Sequence, residues 1–129
     1  MKYDLTNFKT IEMVKGNPTM SLTRNGITFS QAAIQKLAKP EYVEFMIDEN
    51  NKIIAVVAKK EKTSNSFSFF SPEKKVMSVR ISNKDLRNQI AEIMSWSLGK
   101  EDGYKIEGEY AKEENSLFFN LKESKPLNK

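Results

Sequence analysis

The sequence predicts an α+β fold of two strand–helix–hairpin units, set mainly in antiparallel sheet. Three observations carry that prediction. Residues 76–121 give strand, helix and hairpin signals in turn: VMSVRI, SNKDLRNQIAEIMSWSL, then GYKIEGEYAKEENSLFFNL. Residues 20–58 run the same order once already. Between them lies KKEKTSNSFSFFSPEKK, with charge and serine at both ends. The expected organisation is a first unit with an N-terminal arm (1–58), a linker (59–75), a second unit (76–123) and a tail (124–129).

The arm holds one candidate strand, where Ile11 and Met13 alternate with Glu12 before Lys15-Gly16-Asn17-Pro18 turns the chain. Met20 and Leu22 then alternate with Ser21 and Thr23, and Ile27 and Phe29 resume the pattern after Arg24-Asn25-Gly26. Asn-Gly between alternating runs is a strong hairpin signal, because a type I′ turn needs positive φ at both central residues. Ser30 is the next N-cap candidate. Ala33, Ile34, Leu37 and Ala38 make the apolar stripe of a short helix that Pro40 ends. Val43, Phe45 and Ile47 alternate with Glu44, Met46 and Asp48, DENNK turns, and IIAVVA follows. Its β-branched residues occur on both faces, which predicts a central or covered strand. Phe67, Phe69 and Phe70 are expected to dock on a core or form an edge strand; the sharper alternative is a partner-binding patch.

In the second unit a helix is expected over residues 83–97, capped by Ser82 with Asp85 three residues on. Leu86, Ile90, Ile93 and Met94 form its stripe and Gly99 its stop. Trp96 is expected to close a core at the helix end; the alternative is an anchor for a partner. Tyr104, Ile106, Gly108 and Tyr110 alternate with Lys105, Glu107 and Glu109, so one face is buried and one wet. Leu117, Phe119 and Leu121 resume the alternation after the Glu113–Asn115 turn. Phe118 points the other way, so part of the outer face is expected to be covered. Laying Met20-Ser21-Leu22 on Met77-Ser78-Val79, and Ser30 on Ser82, suggests an internal repeat packed about a pseudo-twofold axis.

With 129 residues the chain is long enough to fold without staples. It has no cysteine and no histidine, which removes disulfides, thiolate chemistry, ordinary zinc sites and the commonest general base. The glycines are scattered at turns and form no phosphate-cradling loop. The carboxylate pairs fall in turns or on the wet face of a strand. The expectation is a non-enzymatic protein with no cofactor or metal, no membrane-spanning run, and a cytoplasmic location. Net charge is +4, with ten basic against seven acidic residues up to Ser64 and eleven against ten beyond it. That excess permits nucleic-acid contact.

SLTRNGITFSQAAIQKL followed by AKPEYVEFMIDENNKIIAVVAKK resembles a half-domain of the AbrB/MraZ swapped-hairpin class of bacterial regulators, over residues 20–60. The family has Pro where Ser30 stands. The resemblance implies a DNA-binding transcriptional regulator with basic side chains of the first strand and turn against DNA. Here these are Lys15, Arg24 and Lys36, with Asn25 beside Arg24 at base edges. Arg80, Lys84 and Arg87 would be the second unit's counterparts. The chain also resembles small proteins of Gram-positive bacteria and their mobile elements, a likeness that carries no activity over. The alternative function is a protein-binding inhibitor or adaptor acting through Phe67, Phe69 and Phe70 or through an edge strand. A homodimer is compatible with either.

Overall fold

The computed structural model describes residues 4–8, 17–71, 79–98 and 103–127. Among these described residues nine strands form one antiparallel sheet curled into a nearly closed barrel. They are β1 Thr19–Thr23, β2 Gly26–Phe29, β3 Tyr42–Asp48, β4 Ile53–Lys59, β5 Ser66–Ser68, β6 Val79–Ile81, β7 Gly103–Ala111, β8 Ser116–Asn120 and β9 Lys125–Pro126. Helix α1 spans Gln31–Lys36 and α2 spans Lys84–Met94. The strand order is β5-β3-β4-β8-β7-β1-β2-β6, with β9 beside β7.

This order overturns the two-unit fold class and its pseudo-twofold repeat. Strands of the two halves interleave: β1 pairs with β7, β4 with β8 and β2 with β6. The strands laid on each other as repeats are not equivalent. β1 lies inside the sheet between β2 and β7, whereas β6 is the last strand of the path. Hydrophobic alternation marks which strands have one buried face, but not which strand each will pair with. The stretch 59–75, expected to link two units, contains β5, which extends the sheet by pairing with β3. The expected tail contains β9.

Strand β7 holds the barrel together. Its first half, up to Glu107, pairs with β1, and its second half, from Gly108 to Ala111, pairs with β8. On the β8 side a single 3-10 turn, Leu121–Glu123, takes up the extra residues before β9 rejoins β7 at Lys105 and Tyr104. Gly108 stands at the changeover. A Cβ there would lie 2.6 Å from Cε1 of Phe119, the residue paired with it. The ring thus covers the glycine backbone across the strand pair.

One core fills the barrel. Met20, Leu22, Ile27, Phe29, Val43, Val56, Ile106, Leu117, Phe119 and Leu121 are all buried. The alternation expected for β7 and β8 is present, with Ile106, Leu117 and Phe119 inward and Lys105, Glu107 and Glu109 exposed. Phe67 and Phe69 also join this core. Phe69 stands 5.1 Å from Phe29 and Phe67 stands 5.5 Å from Phe45, both edge-on. β4 is central, between β3 and β8, as its two apolar faces suggested.

The helices end where local chemistry sets them. The Ser30 hydroxyl caps α1, accepting from Ala33 N–H at 3.2 Å. Ala38 and Lys39, both at positive φ, then end α1 ahead of Pro40. Asn83, not Ser82, caps α2, accepting from Leu86 N–H at 2.8 Å; asparagine is as good an N-cap as serine. The helix stops at Met94, short of the expected 97, because Ser95 takes the left-handed conformation. Trp96 N–H then donates to Ala91 O and Ser95 N–H to Glu92 O, which is the Schellman arrangement. Lys52 Nζ donates to the Ile93 carbonyl, adding a cation at the negative end of the helix. Gly99, the expected stop, lies outside the described residues. Trp96 stacks on Tyr104 with centroids 3.9 Å apart and planes 8° from parallel. Because Ser95 bears the steric cost of the left-handed region, Ser95→Gly is expected to stabilise the protein by about 0.5–1 kcal/mol in urea unfolding. An unchanged or lower midpoint would contradict this.

Candidate nucleic-acid interface

The hairpin of β1 and β2 turns on two residues, Arg24 and Asn25, since Thr23 pairs with Gly26. This differs from the type I′ turn centred on Asn25-Gly26. Arg24 and Asn25 do not take positive φ; Gly26 does, at 139°. Its missing side chain has a second role. A Cβ there would lie 2.6 Å from the Ile81 carbonyl oxygen and 3.3 Å from Ser82 Cα. Glycine therefore lets β2 meet the end of β6 closely, and α2 begins immediately beyond.

That close approach gathers residues from distant parts of the chain. Arg24 and Asn25 are exposed at the turn, Arg80 is exposed on β6, and Lys84 is exposed in the first turn of α2. Arg87, one helical turn further, is half-buried. Its guanidinium donates to the Arg24 carbonyl through Nη1 and to Asn88 Oδ1 through Nε and Nη2. Arg87 thereby ties the turn to the helix. Asp85 is the acidic residue in the helix's first turn, where the dipole favours it.

Strand register extends this cluster into a row. Arg80 is opposite Thr28, Thr28 opposite Ser21, Ser21 opposite Lys105, and Lys105 opposite Lys125. The sequence neighbours of the first four, such as Val79, Ile27, Phe29, Met20, Leu22 and Ile106, are buried. The row therefore lies on the outer face. Five strands at about 4.8 Å spacing make it about 19 Å long. It presents three cations and two hydroxyls, groups that bond phosphate oxygens. The far end is closer to neutral. Lys105 and Lys125 line a concavity of about 310 Å³ with Glu107 and Glu123, and Asn17 Nδ2 donates to Glu107 at 3.1 Å. Positive charge is therefore densest at the Arg24, Arg80 and Lys84 end.

Of the candidate residues, Arg24, Asn25, Arg80, Lys84 and Arg87 come together. Lys36 does not join them; α1 starts from the opposite end of β2. Lys15 lies outside the described residues. Thr28, Ser21, Lys105 and Lys125 were not anticipated. Lys105 was legible as an outward residue of its strand, but its place beside Ser21 exists only in the register. The partner-binding alternative finds Phe69 buried and Phe67 and Phe70 half-buried, with Lys39 Nζ 5.9 Å from the Phe70 ring centroid.

Among the described residues no cluster of acidic side chains could hold a metal ion, and no helix is long and apolar enough to cross a membrane. Comparisons with protein-family models, with curated proteins and with solved structures gave no match.

Proposed function

We propose that the protein is a small, non-enzymatic, cytoplasmic DNA-binding regulator that holds duplex DNA against the face carrying Arg24, Arg80 and Lys84. The observation that carries this reading is the close approach of β2 to β6. It puts basic side chains from three separate segments on one end of the barrel, next to the hydroxyls of Thr28 and Ser21. The likeness of residues 20–60 to the AbrB/MraZ class points to the same ligand.

In this reading Arg80, Lys84 and Lys105 contact phosphates and set orientation, and Thr28 and Ser21 add hydroxyl donors. Arg24 and Asn25, at the exposed turn, have the side chains that pair with guanine and adenine edges in a major groove. Arg87 acts as a positioning residue for that turn.

The test is fluorescence anisotropy with a mixed-sequence 20-base-pair duplex at two salt concentrations. Three phosphate contacts would weaken binding about 40-fold between 50 and 200 mM salt. Absence of binding at 50 mM would overturn the reading, and so would binding indifferent to salt.

A further inference from the structure

A second surface lies on the outer face of β3, β4 and β8. The register lays it out in rows. Glu44 is opposite Val57, which is opposite Ser116. Met46 is opposite Ala55, which is opposite Phe118, which is opposite Glu109 on β7. Asp48 is opposite Ile53, which is opposite Asn120. Five apolar side chains, Met46, Ile53, Ala55, Val57 and Phe118, thus adjoin one another on the outside of the barrel. They line a shallow concavity of about 570 Å³. Met46 is 59% exposed although it stands on a seven-residue strand inside the sheet. This face is what the two-sided apolar pattern of IIAVVA and the outward Phe118 encode, and nothing within the described chain covers it.

The rim is acidic. Glu44 and Asp48 stand at two corners on β3, Glu109 adjoins Phe118, and Glu114 reaches the concavity from the turn between β7 and β8. Glu44 is already engaged, with Lys59 Nζ at 3.9 Å and the Thr63 hydroxyl. Asp48 bonds the Asn51 side-chain amide at 2.7 Å and the Asn51 N–H at 3.2 Å; the side-chain bond first, then the backbone bond, holds its carboxyl below the usual range. Lys122 lies within electrostatic reach of it. Glu109 and Glu114 are exposed and remain the two rim charges most open to a partner.

Charge and size together define what fits. A phosphate-bearing surface would be repelled by these carboxylates. A second copy docking through the same face would set carboxylate against carboxylate. The face is also small. Three strands make it about 10–14 Å wide, and four residue steps along β3 make it about 13 Å long. That is well under the roughly 800 Å² per partner of a stable dimer. It matches one helix of about ten residues, which is about 15 Å long and 10–12 Å across.

We infer that this face docks a short basic amphipathic helix of another protein, with apolar side chains on Ala55, Val57 and Phe118 and flanking Lys or Arg at Glu109 and Glu114. The mode is helix-in-groove recognition with acidic rim selectivity. It is separate from the nucleic-acid face on the other half of the sheet.

The test uses the full chain and two labelled 14-residue amphipathic peptides, one of leucine and lysine, the other of leucine and glutamate in the same pattern. The lysine peptide should bind, and the glutamate peptide at least ten-fold more weakly. Phe118→Ser should weaken lysine-peptide binding at least ten-fold. Because that variant could lose stability, the deciding variant is Glu109→Lys/Glu114→Lys, which should reverse the preference so that the glutamate peptide binds better. A gain of that kind cannot come from misfolding. Equal binding of both peptides by the native chain would overturn the inference. So would a preference unchanged by the double reversal, or a dimer by sedimentation that Phe118→Ser dissociates, which would make the occupant a second copy.

Discussion

Phe29→Ala is expected to cost about 4 kcal/mol of folding stability, the largest effect of any single truncation in this core. Phe29 is 1% exposed and its ring adjoins three others: Phe69 at 5.1 Å, Phe45 at 6.1 Å and Phe119 at 6.2 Å. Those three stand after β5, on β3 and on β8, so one ring links segments from the N-terminal, middle and C-terminal parts of the chain. Removing it forfeits the transfer free energy of a buried aromatic and leaves a cavity whose walls are held by separate strands and cannot easily collapse. Trp96, the lone tryptophan, reports the result. It stacks on Tyr104, in the part of the chain that a two-unit fold would have placed apart from Phe29. In the barrel, the Trp96 fluorescence transition should fall by about 2 M urea, for a slope of about 2 kcal/mol per molar, and coincide with the loss of sheet signal. If Trp96 unfolded at its native midpoint while other probes moved, the single core would be refuted.

The same residues show what the sequence could reveal. Within a strand, everything needed is local. The alternation of Tyr104, Ile106 and Gly108 with Lys105 and Glu107 named the inward side correctly, because side chains repeat every two residues whatever the neighbour is. Ser30 was legible as a cap for the same reason, since its partner is three residues away. Pairing is not local. That β2 lies beside β6 depends on Gly26, whose role at Ile81 cannot be read from its immediate neighbours. The six-residue helix α1 and the eleven-residue α2 looked like parallel members of a repeat, but periodicity cannot distinguish two units from one sheet threaded through both. The candidate basic residues Arg24, Arg80 and Lys84 came only from the AbrB/MraZ resemblance, which set them in two separate units. Their convergence needed the barrel, and so did the row that adds Thr28, Ser21 and Lys105.

Reversing three of those charges, Arg24→Glu/Arg80→Glu/Lys84→Glu, is expected to weaken duplex binding by at least a thousand-fold at 50 mM salt. If binding scales with salt at about 0.9 per phosphate contact, each contact is worth about fifteen-fold at 50 mM, so Arg80 and Lys84 together give about two-hundred-fold, and loss of the Arg24 base contact adds about five-fold or more. The salt slope should fall by nearly two at the same time. All three side chains are exposed, so the unfolding midpoint should stay close to that of the native chain. The control is a second triple reversal, Lys36→Glu/Lys60→Glu/Lys62→Glu, at residues that are also exposed. Both triples change the net charge equally, taking the native +4 to −2. A protein attracted to DNA only by its overall charge would lose the same affinity in each. A protein that holds DNA at the turn of β1 and β2 and the start of α2 would lose most of its affinity, and most of its slope, only in the first. Arg87→Gln separates the remaining roles. Its guanidinium is engaged with the Arg24 carbonyl and Asn88, so its loss should loosen the turn. The salt slope should then change by less than one, while discrimination among DNA sequences falls, because Arg24 and Asn25 read base edges only if the turn is held. A slope that drops by a full unit with discrimination intact would make Arg87 another phosphate contact and remove its positioning role.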